Sequence, residues 1–218
     1  MNRTPEPELM DEVEQARAYS EADFAVPHEA FCDAATRVFS ADTQGHILDL
    51  GCGPADVTVR FARRTPQCRI TGIDGAQAML KLGRARIETA GLNKRVTLAH
   101  HYLPSASLPT GYDGVISNSL LHHLTNPLVL WQTISKHVLK GTPVFVMDLM
   151  RPKSEVEVKR LVAEYAADEP EVLRHDFECS LHAAYRVEEL QAQLAQTHLE
   201  HLQVEAITDR HLIVYGQH

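Results

Sequence analysis

The segment HILDLGCGPADVT places an acid, Asp49, two residues ahead of a Gly51-Cys52-Gly53 turn, and a second acid, Asp74, closes the next apolar run, RITGID. Ile47, Leu48 and Leu50 read as a buried strand, and the glycines let the backbone turn tightly against a ligand where a Cβ would collide. A helix is expected from Asp56. Strand, glycine turn and helix make a nucleotide-binding unit, and an acid roughly twenty residues further on is placed to accept hydrogen bonds from ribose hydroxyls.

Two nucleoside cofactors compete for such a loop. A dinucleotide site needs a small residue three places after the second glycine, where helix and strand close over the pyrophosphate. Asp56 stands there instead. An acid in the loop repels a pyrophosphate, whereas Asp49 suits a cation such as the amino acid end of S-adenosylmethionine. The spacing therefore favours the sulfonium cofactor. DLGCG, GID and the later YDGVISNSLLHHL resemble the ordered motifs of the class I S-adenosylmethionine-dependent methyltransferases, particularly the small-molecule branch similar to the ubiquinone/menaquinone-biosynthesis enzymes. The resemblance covers roughly residues 45–218.

The resemblance implies that Asp49, Gly51 and Gly53, with Cys52 between them, hold the methionine end and that Asp74 holds the ribose. Gly75 and Met79 then lie beside the adenine. Related enzymes often carry a Gly-Asp pair after the third strand for the adenine amine, but RVTLAHHYLPSASLP has no acid; His101, Tyr102 or Leu103 are the candidates to replace it, by stacking or through backbone groups. Cys52 reads as a small residue fitting a tight loop rather than as a nucleophile.

In open α/β sheets ligands sit at the carboxyl ends of the strands, so the glycine loop, Asn118–His123 and Asp148–Arg151 should converge. Asn118 and Ser119 fall to the cofactor. His122 and His123 are the catalytic candidates, as a general base or acceptor-orienting group; the plainer reading makes them ordinary members of a helix start. Asp148, Arg151 and Tyr185 are the acceptor-side candidates, and Asp148 and Arg151 could equally pair with each other. His100 and His101 raise the local histidine count, but adjacent residues seldom ligate one ion, so no metal is expected.

The elements that must position these groups alternate short apolar runs with helix-periodic segments. This gives an α/β fold: a Rossmann-like, doubly wound, seven-stranded and mostly parallel sheet with helices on both faces and, as the resemblance implies, an antiparallel last strand. Strands are expected at Arg69–Ile73, around Val96 and Leu98, at Gly114–Ser117 and at Val144–Met147. A helix opens at Asn126-Pro127, buries Trp131, Ile134 and Val138, and ends at Lys140-Gly141. Ser154 and Glu157 form a capping box. Another helix spans Val187–His198, and Leu202–Ile207 with Leu212–Tyr215 form a terminal hairpin. One domain fills residues 1–218, with an N-terminal helical cap at 1–44 and a helical insertion at 152–186. The cap carries Met10, Val13, Tyr19, Phe24, Phe31 and Phe39, with Tyr19 and Phe24 placed to close over the cofactor.

Composition narrows the partners. With 21 Lys and Arg against 29 Asp and Glu, the net charge of −8 opposes binding to nucleic acid and favours a small-molecule acceptor. Apolar runs are too short to span a bilayer, and the acidic N-terminus lacks an export signal, so a cytoplasmic location is expected. Four scattered cysteines read as reduced thiols. The chain is compatible with a homodimer. The competing functions are a nicotinamide-dependent oxidoreductase and a non-catalytic cofactor-binding or partner subunit.

Overall fold

A computed structural model describes residues 1–6 and 11–218; Met10 lies outside the described residues. The elements in chain order are α1 (Val13–Glu21), α2 (Ala25–Ala35), β1 (Gly45–Leu50), α3 (Asp56–Arg64), β2 (Cys68–Asp74), α4 (Gln77–Thr89), β3 (Val96–His100) and β4 (Gly114–Asn118). After a 3-10 turn at Leu121–His123 come α5 (Leu128–His137), β5 (Pro143–Leu149), α6 (Glu155–Tyr165), α7 (Glu171–Ala183), α8 (Val187–Gln196), β6 (Gln203–Ala206) and β7 (His211–Gln217). The strands form one seven-stranded sheet in the order β3-β2-β1-β4-β5-β7-β6. Its first five members run parallel, and β7 is antiparallel to both β5 and β6.

Strand periodicity divides the interior between the two faces of the sheet. Leu48, Leu50, Val115, Val144 and Val146 pack with Trp131, Ile134 and Leu190 from α5 and α8. The alternating residues Ile47, Ile116, Phe145 and Met147 pack with Phe31, Phe61 and Ile87 from α2, α3 and α4. Because successive side chains point to opposite faces, Asp49 emerges on the α3 side and Asp148 on the other. Both acids are buried at the carboxyl edge of the sheet. No helix among the described residues is long and apolar enough to cross a membrane.

Two helix ends differ from expectation. Asn126 caps α5 as expected, its Oδ1 accepting from the Leu128 N–H at 3.1 Å. The helix ends at His137, however, not at Lys140-Gly141, because Val138 is extended and bridges to Tyr112. The β-branched Val138 is better satisfied by this pairing than by another helical turn. Likewise α8 stops at Gln196, two residues before His198, which is left-handed with φ 59°. Ser154 caps α6 by accepting from the Glu157 N–H, while the Glu157 carboxylate reaches back to the Lys153 N–H at 2.8 Å. The segment 152–186, expected as a helical insertion, holds the two helices α6 and α7.

Candidate active site

The turn after β1 is built by its two glycines for different reasons. Gly51 has φ +71°, and a Cβ there would come within 2.9 Å of the Leu120 side chain. Gly53, with φ +49°, has nothing within 4 Å of where a Cβ would stand, so its backbone faces open space. Ile73 O accepts from the N–H groups of Gly51 and Cys52, which ties the turn to the end of β2. Asp74 completes the tie: Oδ2 accepts from the Gly53 N–H and Oδ1 from the Ala76 N–H, each at 2.8 Å. Burial raises the Asp74 pKa against the pull of these two donors. Each oxygen keeps lone-pair capacity for a further donor. The Cys52 thiol is buried and pushed well above its ordinary pKa, first by burial and then by Asp49 and Asp74, as suits a packing residue.

Asp49 is 2% exposed, and Thr58 Oγ1 of α3 donates to its Oδ2 at 2.6 Å. Burial, opposed by that bond and reinforced by Asp74, pushes its pKa up to about 7. Asp56, by contrast, is held below the usual carboxylate range: burial would raise it, but His28 Nδ1 at 2.6 Å and Arg60 Nε at 2.7 Å outweigh that. The acid that argues against a pyrophosphate thus also ties α2 to α3. Tyr19 stacks against Phe24, ring centroids 4.9 Å apart. Its phenol is pushed up to about 12 by burial and then by Asp74, Asp56 and Asp148, so it sits in the field of these acids.

The residues expected near the adenine are less closely gathered. Gly75 O lies 2.9 Å from His100 Nε2, and Asp74 O accepts from the His101 N–H at 3.1 Å. Met79 is buried with Ala16 and Ala76 where α1 packs on α4. Tyr102 is 52% exposed and meets only the edge of His100 in a ring contact, whereas Leu103 packs on the α5 side of the core.

Beyond β4, Asn118 ends the strand half-buried, and Ser119 takes a left-handed φ of 53° while its N–H reaches Met147 O. The chain then winds through the 3-10 turn that carries the histidine pair. His122 is buried, with Nδ1 2.5 Å from Asp148 Oδ1. Asp148 also accepts from the N–H groups of Leu121 and Leu149, both at 2.7 Å. Burial opposes charge on each partner, yet their attraction holds His122 above and Asp148 below its ordinary value. Glu6 joins the pair from the N-terminal segment: Oε1 is 3.4 Å from His122 Nε2 and 3.2 Å from His123 Nδ1. Ser180 Oγ donates to the same carboxylate.

Asp148 and Arg151 do not pair. The Arg151 guanidinium donates instead to Ala184 O at 2.7 Å and to Glu189 Oε1 at 2.6 Å, joining β5 to α8. Tyr185 is buried under the guanidinium of Arg3, 4.3 Å from its ring centroid. Arg3 further donates to the carbonyls of Ala183 and His122, and the Thr4 N–H reaches His182 O, so residues 1–6 cross the carboxyl edge of the sheet. Thr58, Glu6 and Arg3 were not expected from the sequence. Only the hydroxyl in DVTVR, on the helix that follows the glycine turn, offered any signal for Thr58.

The sheet order with its antiparallel β7, and the glycine turn with the acids after β1 and β2, give the chain the fold of the class I S-adenosylmethionine-dependent methyltransferases. Residues 47–141 match the family described as a methyltransferase domain. A trans-aconitate 2-methyltransferase of Rhodopseudomonas palustris is 34% identical over 87 residues, or 40% of this chain and 32% of that protein. The matched stretch spans from about a third to about half the length of such curated relatives. A methyltransferase from Aquifex aeolicus superposes with a TM-score of 0.68 at 13% identity, covering 94% of this chain and 98% of the other. The plantazolicin methyltransferase BpumL, crystallised with a triazolic desmethylPZN analog and SAH, superposes with a TM-score of 0.70 at 15% identity, covering 94% of this chain and 90% of the other. The nicotinamide alternative is not favoured by this sheet.

Proposed function

We propose that the protein transfers the methyl group of S-adenosylmethionine to oxygen, nitrogen or carbon of a small-molecule acceptor. The observation that carries this reading is Asp49, a buried carboxylate at the mouth of the glycine turn whose hydrogen-bonding partner is a neutral hydroxyl. Burial, with Asp74 nearby, raises its pKa, and the α-amino group of the cofactor is the cation that would favour its ionised form. Gly51, Cys52 and Gly53 give the backbone cradle for the methionine end, and Asp74 has capacity left for ribose hydroxyls. Asn118 and Ser119 continue that wall. The half-buried Tyr19, within the field of Asp74, fits an N-terminal cap formed by residues 1–44, and Met79, Gly75, Tyr102 and Leu103 fall on the adenine side.

When bound, the cofactor presents a methyl group on a positively charged sulfur, so the acceptor needs alignment and a dry site more than chemical activation. Proximity of that kind supplies about 7–11 kcal/mol. His122 and His123 are the groups assigned to the acceptor: Asp148 fixes the His122 ring, and His123 is the more exposed of the two. Asp148 acts through His122, while Tyr185, under Arg3, and the segment 152–186 form the acceptor-side wall. The small-molecule relatives and the net charge of −8 support an acceptor smaller than a nucleic acid.

Calorimetric titration with S-adenosylhomocysteine and with NAD tests the cofactor assignment. Stoichiometric binding of the first and none of the second is expected; the reverse overturns the reading. Transfer of a labelled methyl group into a panel of small carboxylates, phenols and amines then tests turnover.

A further inference from the structure

The geometry points to a transition-metal site formed by Glu6, His122 and His123, with zinc as the ion its donor set suits. Two imidazole nitrogens and one carboxylate oxygen are a recurrent zinc triad, which leaves a fourth position for water or an oxygen donor. The three donor atoms lie within 4.8 Å of one another. Glu6 Oε1 stands 3.4 Å from His122 Nε2 and 3.2 Å from His123 Nδ1. Ligands bound at about 2.0–2.1 Å around a tetrahedral ion stand about 3.3 Å from each other, so these two edges need little adjustment.

Adjacent histidines rarely meet at one ion because a helix or strand turns successive side chains apart. Here the 3-10 turn brings the two rings together, with centroids 4.2 Å apart and planes inclined by 36°. The support around the triad is of the kind metal sites carry. His122 uses Nδ1 for the Asp148 carboxylate, which leaves Nε2 as the metal-facing nitrogen; a carboxylate behind a ligating histidine fixes its orientation and raises its basicity. Asp148 is itself fixed by two backbone N–H groups, and Glu6 is steadied by the Ser180 hydroxyl. Glu6 comes from a segment held across the sheet edge by Arg3 and Thr4, so the ion would join the N-terminus to the loop after β4.

An ion here takes an oxygen-bearing acceptor at its open position, which deepens the acceptor-orienting role assigned to the pair; the site itself does not depend on that assignment. Protein stripped with EDTA is titrated with Zn²⁺ in competition with a chromogenic chelator, and with Co²⁺ followed by its visible absorption. One ion per chain and the intense absorption of a four-coordinate cobalt site are expected. Glu6→Gln and His123→Ala should each weaken Zn²⁺ binding at least tenfold, and Asp148→Asn by about 10–100-fold, in variants whose circular dichroism is unchanged. Lack of stoichiometric uptake by the folded wild type overturns the proposal. Equal uptake by wild type and Glu6→Gln does so too, since it assigns the ion to others of the 13 histidines. Glu6→Gln alters one charge in the N-terminal segment, so it decides the matter even where a histidine variant fails to fold. S-adenosylhomocysteine binding, measured in parallel, separates loss of this site from failure of the methyltransferase reading.

Discussion

The backbone N–H of Gly53 donates to Oδ2 of Asp74 at 2.8 Å, which makes the turn after β1 and the acid after β2 one structural unit. The same carboxylate caps the Ala76 N–H with its other oxygen. Asp74→Ala therefore removes both a candidate ribose acceptor and the brace of the glycine turn. Affinity for S-adenosylhomocysteine should fall by about 1–3 kcal/mol through the lost hydrogen bonds. Calorimetry on the folded variant checks this, and unchanged affinity would remove Asp74 from the site.

Asp49 yields a pH dependence. Its folded pKa of about 7 lies above the ordinary value of 3.8, so between these values the unfolded chain loses this proton while the folded chain retains it. Stability contributed by this group is thus full below pH 4 and lost as pH rises to about 7. Relative to wild type, Asp49→Asn should gain stability across that interval, as urea unfolding at its two ends would reveal. Cofactor binding has the opposite trend, since a cation prefers the ionised carboxylate. Affinity for S-adenosylhomocysteine should rise with pH up to about 7 in the wild type and stay low and flatter in Asp49→Asn.

Arg151 separates packing from acceptor binding. Its guanidinium is engaged with Ala184 O and Glu189, so Arg151→Met should lower unfolding stability by about 1–3 kcal/mol while leaving S-adenosylhomocysteine affinity unchanged. Denaturant titration with parallel calorimetry makes the distinction. Retained stability with altered acceptor KM would return Arg151 to the acceptor site.

Trp131 is the sole tryptophan and is fully buried, with Nε1 donating to Gln193 Oε1 at 2.9 Å. Its fluorescence reports directly on the α5–α8 packing against the sheet. Gln193→Leu leaves the indole N–H without this acceptor and should cost about 1–3 kcal/mol, read as a shift in the urea midpoint of the tryptophan signal. An unshifted midpoint would show that the bond contributes nothing net.

The fold was largely legible because its signals are local. Val144–Met147 reads as a central strand since burial on both faces demands a continuous apolar run, and Ile47, Leu48 and Leu50 share that pattern. The end of α5 was not legible: Val138 leaves the helix to pair with Tyr112, a partner remote in the sequence. Within the expected helical insertion the bounds of α7 were not legible in EPEVLRHDFECSLHAAYR, because its buried residues are few, Leu173, Ser180, Leu181 and Ala183, and the histidines and acids between them blur the period.

By itself the sequence determined that Asp49, Gly51, Gly53 and Asp74 come together, because they lie on one strand–turn–helix–strand unit whose geometry is set by neighbouring residues. The tertiary structure decided what the other acids and bases do. Asp148 could have met Arg151, three residues away, but the end of β5 instead turns it to His122 at 2.5 Å and leaves Arg151 to Glu189. Glu6 reaches the histidine pair only because residues 1–6 cross the carboxyl edge of the sheet. Spacing along a chain fixes contacts within an element or between successive ones, whereas contacts between distant segments, such as those of Glu6, His122 and Asp148, depend on how packed elements converge.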